Sequence, residues 1–247
     1  MNKENLIFLD TETTGTEEND RLCQVAYKFN GEEKEALFKP PVPISVGAMA
    51  IAHITNKMVN DKETFQGSVM EKELKEILAS EKNIFIAHNA KFDAEMLKRE
   101  GVEVKSIIDT YKIAQHWDKD AIIPKYNLQY LRYHFELEVG KVVAHDALGD
   151  VIVLEKLFEH LFNLMLKEIG NEAKVLEEMI DVSKKPIMIK TMNFGKHKGE
   201  KVADVAQNDP QYLEWLLNQK IQVRDQGGIN DEDWIYTIEQ CLEAYCR

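Results

Sequence analysis

Two acidic residues two positions apart, Asp10 and Glu12, close an apolar stretch near the start of the chain, Leu6-Ile7-Phe8-Leu9-Asp10-Thr11-Glu12-Thr13-Thr14-Gly15. In an extended chain, side chains two residues apart project from the same side, so both carboxylates would face one point. The apolar run before them reads as a strand buried on both faces, and Gly15 permits a sharp turn out of it. Paired acids at the end of such a strand are costly to bury without a positive partner. A divalent cation, which favours oxygen ligands, would supply one. An ordinary strand-to-turn junction, rich in Asp, Thr and Gly, accounts for the same residues. The pair alone leaves both readings open.

Two further clusters carry acids and histidines. In His88-Asn89-Ala90-Lys91-Phe92-Asp93, the acid falls in the first turn of a helix that leaves a buried-type strand. The helix dipole favours a carboxylate there whatever its function. In His145-Asp146-Ala147-Leu148-Gly149-Asp150, Asp150 enters a long amphipathic helix in register with its apolar face, where an acid needs a partner. His145 precedes it on the loop or first turn. An imidazole titrates near neutrality and suits proton transfer, although a single His in such a place is commonly structural.

The ordered set D-x-E-T-x-G, H-N-A-x-F-D and H-x-A-x-x-D resembles the three exonuclease motifs of the DnaQ-like DEDDh family of 3′→5′ exonucleases, over residues 6 to about 165. The resemblance implies an α/β, ribonuclease H-like fold with a mixed five-stranded sheet and two divalent ions, Mg²⁺ with Mn²⁺ as a substitute. It makes Asp10, Glu12, Asp93 and Asp150 the metal ligands and His145 the general base. Two-metal sites of this kind serve in-line phosphoryl transfer. The substrate implied is DNA 3′ ends, in repair or recombination, with RNA as the alternative polymer. Backbone groups around Thr11, Thr13 and Thr14 are candidates for holding the terminal 3′-hydroxyl. Asn89 is a candidate phosphate contact and Phe92 a candidate base contact.

The tail motif Phe194-Gly195-Lys196-x-Lys198-Gly199, followed by Asp209-Pro210-x-Tyr212-Leu213-x-Trp215-Leu216, is similar to the C-terminal module of the exodeoxyribonuclease X branch of the family. Lys196 and Lys198 are candidate phosphate contacts there. Where relatives carry an apolar wedge after the motif glycine, this chain has Thr16, which removes an aid to strand separation. Three other readings stand beside the exodeoxyribonuclease: an RNA-trimming exonuclease, a polymerase proofreading subunit docked through its tail, and a non-enzymatic end-binding adaptor. The presence of every catalytic-type residue weighs against the adaptor.

The elements that must position these residues follow from periodicity. After the first strand, runs at 22–29 and 36–39 flank a turn at Asn30-Gly31 and read as an antiparallel meander. Short helical turns follow over 44–60, with Met49, Ile51, Ile54 and Met58 as packing residues, and then a helix over 65–78. A second core strand at 83–89, a helix over 92–99 ended by Gly101 and a strand at 106–109 imply parallel pairing by a right-handed crossover. Helices at 111–117, 128–135 and 147–166 complete the domain. A charged helix follows at 172–180, a strand at 187–194, and a helix begins at Asp209-Pro210. We expect an exonuclease domain over 1–168, a charged helical linker over 169–186, and a small α+β module over 187–247.

Composition sets the limits. The 247 residues are 44% hydrophobic and 30% charged, with a formal net charge of −12. That charge argues against a broad nonspecific grip on nucleic acid, and no apolar run is long enough to span a membrane. Residues 184–201 nevertheless hold six lysines and one acid, a local charge of +5. Scattered Cys23, Cys241 and Cys246, without C-x-x-C spacing, and a charged N-terminus favour a reducing, cytoplasmic setting.

Overall fold

In the computed structural model, which describes residues 3–140, 147–227 and 231–245, five strands form one mixed sheet in the order β3-β2-β1-β4-β5. Strand β1 (Leu6–Thr13) lies in the middle, buried through Leu9. It pairs antiparallel with β2 (Leu22–Phe29), which pairs antiparallel with β3 (Glu32–Leu37). The turn between β2 and β3 runs through Asn30 and Gly31, both at positive φ (50° and 80°), the geometry that matches strand twist in a tight hairpin. β3 begins earlier than its apolar residues suggest, because Glu32 to Glu35 pair along β2 while their exposed side chains carry no core signal.

Helices α1 (Val46–Ala52) and α2 (Asn56–Val59) are capped by Ser45 and Thr55. Ile44, Ala52, Ile54 and Val59 pack around Cys23, whereas Ile51 and Met58, expected as packing residues, face outward. Helix α3 (Val69–Ala79) starts at the Ser68 cap, and Phe65 before it enters the core edge-on to Phe38. Strand β4 (Ile84–Ala87) lies parallel to β1, and α4 (Ala90–Arg99) leads on to β5 (Ile107–Asp109), parallel to β4. Helices α5 (Thr110–Trp117), α6 (Leu128–His134) and α7 (Ala147–Ile169) follow. α7 buries Val151, Leu154, Phe158 and Leu161, and Phe158 meets Phe8 of β1 edge-to-face with ring centroids 5.5 Å apart.

The chain divides into two compact units. The first holds residues up to Ala114 together with Lys125–Ser183; the second holds Gln115–Pro124 together with the residues from Lys184 onward. The segment expected as a linker, 169–186, is mostly helix α8 (Glu172–Lys184), which buries Val175, Met179 and Val182. Ser183 Oγ accepts from the Asp109 amide at 2.8 Å, tying α8 to the end of β5 within the first unit. The boundary therefore falls after Ser183.

The second unit is built from α9 (Val202–Asn208), α10 (Pro210–Asp225) and α11 (Glu232–Tyr245) around Met192, Val205, Leu213, Trp234 and Ile238. The 187–194 run, expected as a strand, makes one antiparallel bridge, Thr191 to Lys201. Backbone bonds between 190–192 and 199–202 support that bridge, while earlier amides reach helix side chains: Ile187 donates to Asp233 and Ile189 to Thr237. Lys190 Nζ donates to the carbonyls of Gln115 and Asp118, joining the two segments of this unit.

Candidate active site

Asp10 and Glu12 sit on β1 opposite Ala26 and Gln24 of β2, just before the register shift at Glu12/Thr13. Asp150 lies in the first turn of α7 and is buried. One carboxylate oxygen from each of Asp10, Glu12 and Asp150 lies within 4.8 Å of the other two. Asp10 and Asp150, 140 residues apart in sequence, thus converge because α7 packs its apolar face on the central strand.

Asp93 stands in the first turn of α4, buried, directly after the strand neighbouring β1. Its Oδ1 accepts from the Thr11 amide at 3.1 Å and from Thr11 Oγ1 at 2.6 Å. The residue between the two β1 acids therefore clips α4 to β1. Asp93 is outside the trio whose ligand atoms lie within 4.8 Å, but its charge acts on both β1 acids.

The electrostatics are those of a site built for positive charge. Burial, then the charges of Asp93, Asp150 and Glu12, push the Asp10 carboxyl well above its ordinary range. Burial followed by Asp150 and Asp93 raises Glu12 to about 7. Asp93 is raised to about 7, chiefly by burial, although the Thr11 hydrogen bonds favour its ionised form. Buried like charges of this kind are relieved by a cation. The donor set is oxygen only, which suits hard divalent ions. The residues present fit such an ion.

Supporting groups surround the trio. Gln129 of α6 donates Nε2 to Asp150 Oδ1 at 2.5 Å, a contact no short-range pattern in the sequence announces. Asp109 Oδ1 accepts from the Asn89 and Tyr111 amides, at 2.9 and 3.0 Å, so it caps the turn into α5. His88 is structural: Nδ1 lies 2.9 Å from Thr110 Oγ1 and Nε2 lies 2.7 Å from the Tyr126 carbonyl. Burial lowers its pKa to about 4, so the ring stays neutral.

The other sequence candidates divide. Asn89 is exposed at the carboxyl end of β4 in the left-handed conformation (φ 65°), with no capping bond from its side chain. Phe92 is partly buried against the core of the first unit. The Thr11 and Thr14 amides, expected at the 3′-hydroxyl, are taken by Asp93 and by the Arg21 carbonyl. The Thr13 and Thr14 hydroxyls donate to the Gly15 carbonyl and to Asp20. Lys196 and Lys198 are exposed in the second unit, Lys196 paired with Asp209 at 2.6 Å. His145 lies outside the described residues.

An acid-only cation site at the end of a mixed sheet is the equipment of enzymes that move phosphoryl groups. The chain belongs to the exonuclease family: the family model described as "Exonuclease" matches residues 7–158. A second model, "Exodeoxyribonuclease X-like C-terminal", matches residues 192–220. Exodeoxyribonuclease 10 of Escherichia coli (strain K12) is 33% identical over 220 residues, covering 86% of this chain and 90% of that protein. DNA polymerase III subunit epsilon of Buchnera aphidicola subsp. Acyrthosiphon pisum is 30% identical, covering 64% of this chain and 73% of that protein. Among solved structures, Exonuclease X in complex with 5′ overhanging duplex DNA superposes with a TM-score of 0.55 at 28% identity, covering 72% of this chain and 99% of that one.

Proposed function

We propose that this chain is a divalent-metal-dependent 3′→5′ exodeoxyribonuclease that releases nucleoside 5′-monophosphates from DNA 3′ ends. The observation that carries this reading is the convergence of Asp10, Glu12 and Asp150 within 4.8 Å, in a chain 33% identical to an exodeoxyribonuclease. Asp10, Glu12, Asp93 and Asp150 are the residues to hold two divalent ions. When bound, such ions, Mg²⁺ first and Mn²⁺ as a substitute, supply charge neutralisation and an acidified water.

The chain's own residues do the rest. Thr11 holds Asp93 against β1, and Gln129 orients Asp150. His145, two residues before α7 in the sequence, takes the proton from the attacking water as the water oxygen bonds to the terminal phosphorus. The bond from phosphorus to the 3′-oxygen of the preceding nucleotide then breaks, and that oxygen is protonated. Asn89, which is exposed, is assigned a phosphate contact. We assign the enzyme to the cytoplasm and to repair or recombination of DNA.

The test uses matched 3′- and 5′-labelled DNA and RNA oligonucleotides, with Mg²⁺ or EDTA and an Asp150→Ala control. Stepwise, metal-dependent loss from DNA 3′ ends that disappears in the variant is the expected result. Faster loss from RNA would move the substrate while keeping the mechanism. No loss from either polymer would return the chain to the adaptor reading.

A further inference from the structure

Helix α10 presents two unlike faces. Leu213 and Leu216 are buried in the second unit. At roughly 100° per residue, Gln211, Tyr212, Asn218, Gln219 and Gln222 fall within about 60° of Trp215. Every charged residue of the helix (Glu214, Lys220, Arg224 and Asp225) falls outside that sector. In a chain 30% charged, this is a neutral stripe of two aromatics and four amides. Trp215 is 55% exposed, and Tyr212 lies 5.7 Å from it, ring to ring. Gln211, Asn218, Gln219 and Gln222 are exposed.

A lysine-bearing turn is fastened to the start of this stripe. Lys196 Nζ pairs with Asp209, the helix cap, and stands 5.0 Å over the Tyr212 ring. His197 bridges Glu200 and Asp209 at 3.0 Å each. Gly195, at φ 72°, packs so close to the Tyr212 hydroxyl that a Cβ would approach it to 2.2 Å. Exposed Lys198 completes the turn, and the local charge of +5 over 184–201 stands in a chain of net −12.

We propose that this surface binds single-stranded nucleic acid, with a base stacked on Trp215, amides of α10 reaching base edges, and Lys196 and Lys198 contacting phosphates. Stacking on an exposed aromatic tolerates any base. Neutral amides provide donors and acceptors without repelling the polymer, and the lysines supply the complementary charge. The inference rests on the exonuclease reading for its ligand class, and it gives the second unit a role in holding the polymer.

The test measures binding of the full-length protein to a labelled thirty-nucleotide single-stranded DNA in EDTA, beside nucleotide release in Mg²⁺. Trp215→Ala is expected to weaken binding about tenfold, and Trp215→Phe to retain most of it. Wild-type tryptophan fluorescence is expected to fall on adding oligonucleotide, and the fall to vanish in Trp215→Phe. Gln219→Glu with Gln222→Glu should weaken binding comparably while circular dichroism stays unchanged. Lys196→Ala with Lys198→Ala should lower the slope of log affinity against log salt by about 1.4. Release from a trinucleotide should be unchanged in Trp215→Ala, because the reacting 3′ end is held by the acids of the first unit. Unaltered affinity in Trp215→Ala would overturn the proposal, as would loss of self-association in place of DNA binding. Failure of the wild type to release nucleotides would instead break the exonuclease reading, since binding in EDTA needs no catalysis.

Discussion

The two units handle charge in opposite ways. In the first, acids converge at the end of a buried strand, and their carboxyl groups are pushed up by burial and by one another. In the second, the charged groups lie at the surface, and Asp209 is held down at about 2 by Lys196 and His197. The cluster in the first unit is electrostatically incomplete and calls for a cation from outside. The cluster in the second is internally balanced and leaves its neutral stripe and lysines facing solvent. A site that must do chemistry keeps its charges unsatisfied, whereas one that only holds a polymer can satisfy them.

The largest effect should come from breaking the acidic cluster. Asp150→Asn is expected to reduce nucleotide release by on the order of a thousandfold or more, as when a transition-state-stabilising group is lost. The same change removes one of the like charges, so the metal-free protein should melt at a higher temperature at pH 8, measured by calorimetry in EDTA. Reduced melting temperature together with reduced activity would mean that Asp150 is structural. His145→Ala comes next: a general base contributes about a hundredfold or more, and a small metal-dependent residue should remain. Full activity would remove His145 from the mechanism. Gln129→Leu should cost about tenfold, with a higher requirement for Mg²⁺, because a group that orients a metal ligand acts at that scale. A loss that excess Mg²⁺ does not diminish would point instead to misfolding of α6.

Where sequence and structure agree, a single periodicity carried the information. The apolar run ending at Asp10 could only be a central strand, and Asn30-Gly31 could only be a tight turn between strands. Asp150 was legible because its register on α7 conflicts with its chemistry. The contacts that finish the site were not: Thr11 with Asp93 and Gln129 with Asp150 span 82 and 21 residues, and no local rule pairs them. The 187–194 run alternates as a strand does, but it pairs only briefly, around Thr191 and Lys201, and the amides of Ile187 and Ile189 bond to helix α11 instead. That helix went unread, although Trp234, Ile235, Ile238 and Cys241 recur at helical spacing. Trp215 shares the tail motif with buried Leu213 and Leu216, and the neutral amides on its own face are the sequence signal that it points outward.

The two units also differ in how they answer to pH, and the smallest effect expected tests this. In the metal-free first unit, Glu12 and Asp93 have folded pKa values of about 7, above the ordinary carboxylate range. Between that range and 7 the native state therefore binds more protons than the unfolded chain, and stability falls as pH rises through this window. His197 in the second unit is raised by its hydrogen bonds to Asp209 and Glu200. Its stabilising contribution is complete below the ordinary histidine value and is lost as pH rises through the folded one. Because its partners Asp209 and Glu200 are themselves partly exposed, the contribution is small. Melting temperatures in EDTA for wild type and His197→Gln should thus differ most below the ordinary histidine value and converge as pH rises well above it, while both fall from pH 5 to 7. A difference that instead grew with pH would mean that His197 is held as the neutral ring, and the balance drawn for the second unit would be wrong.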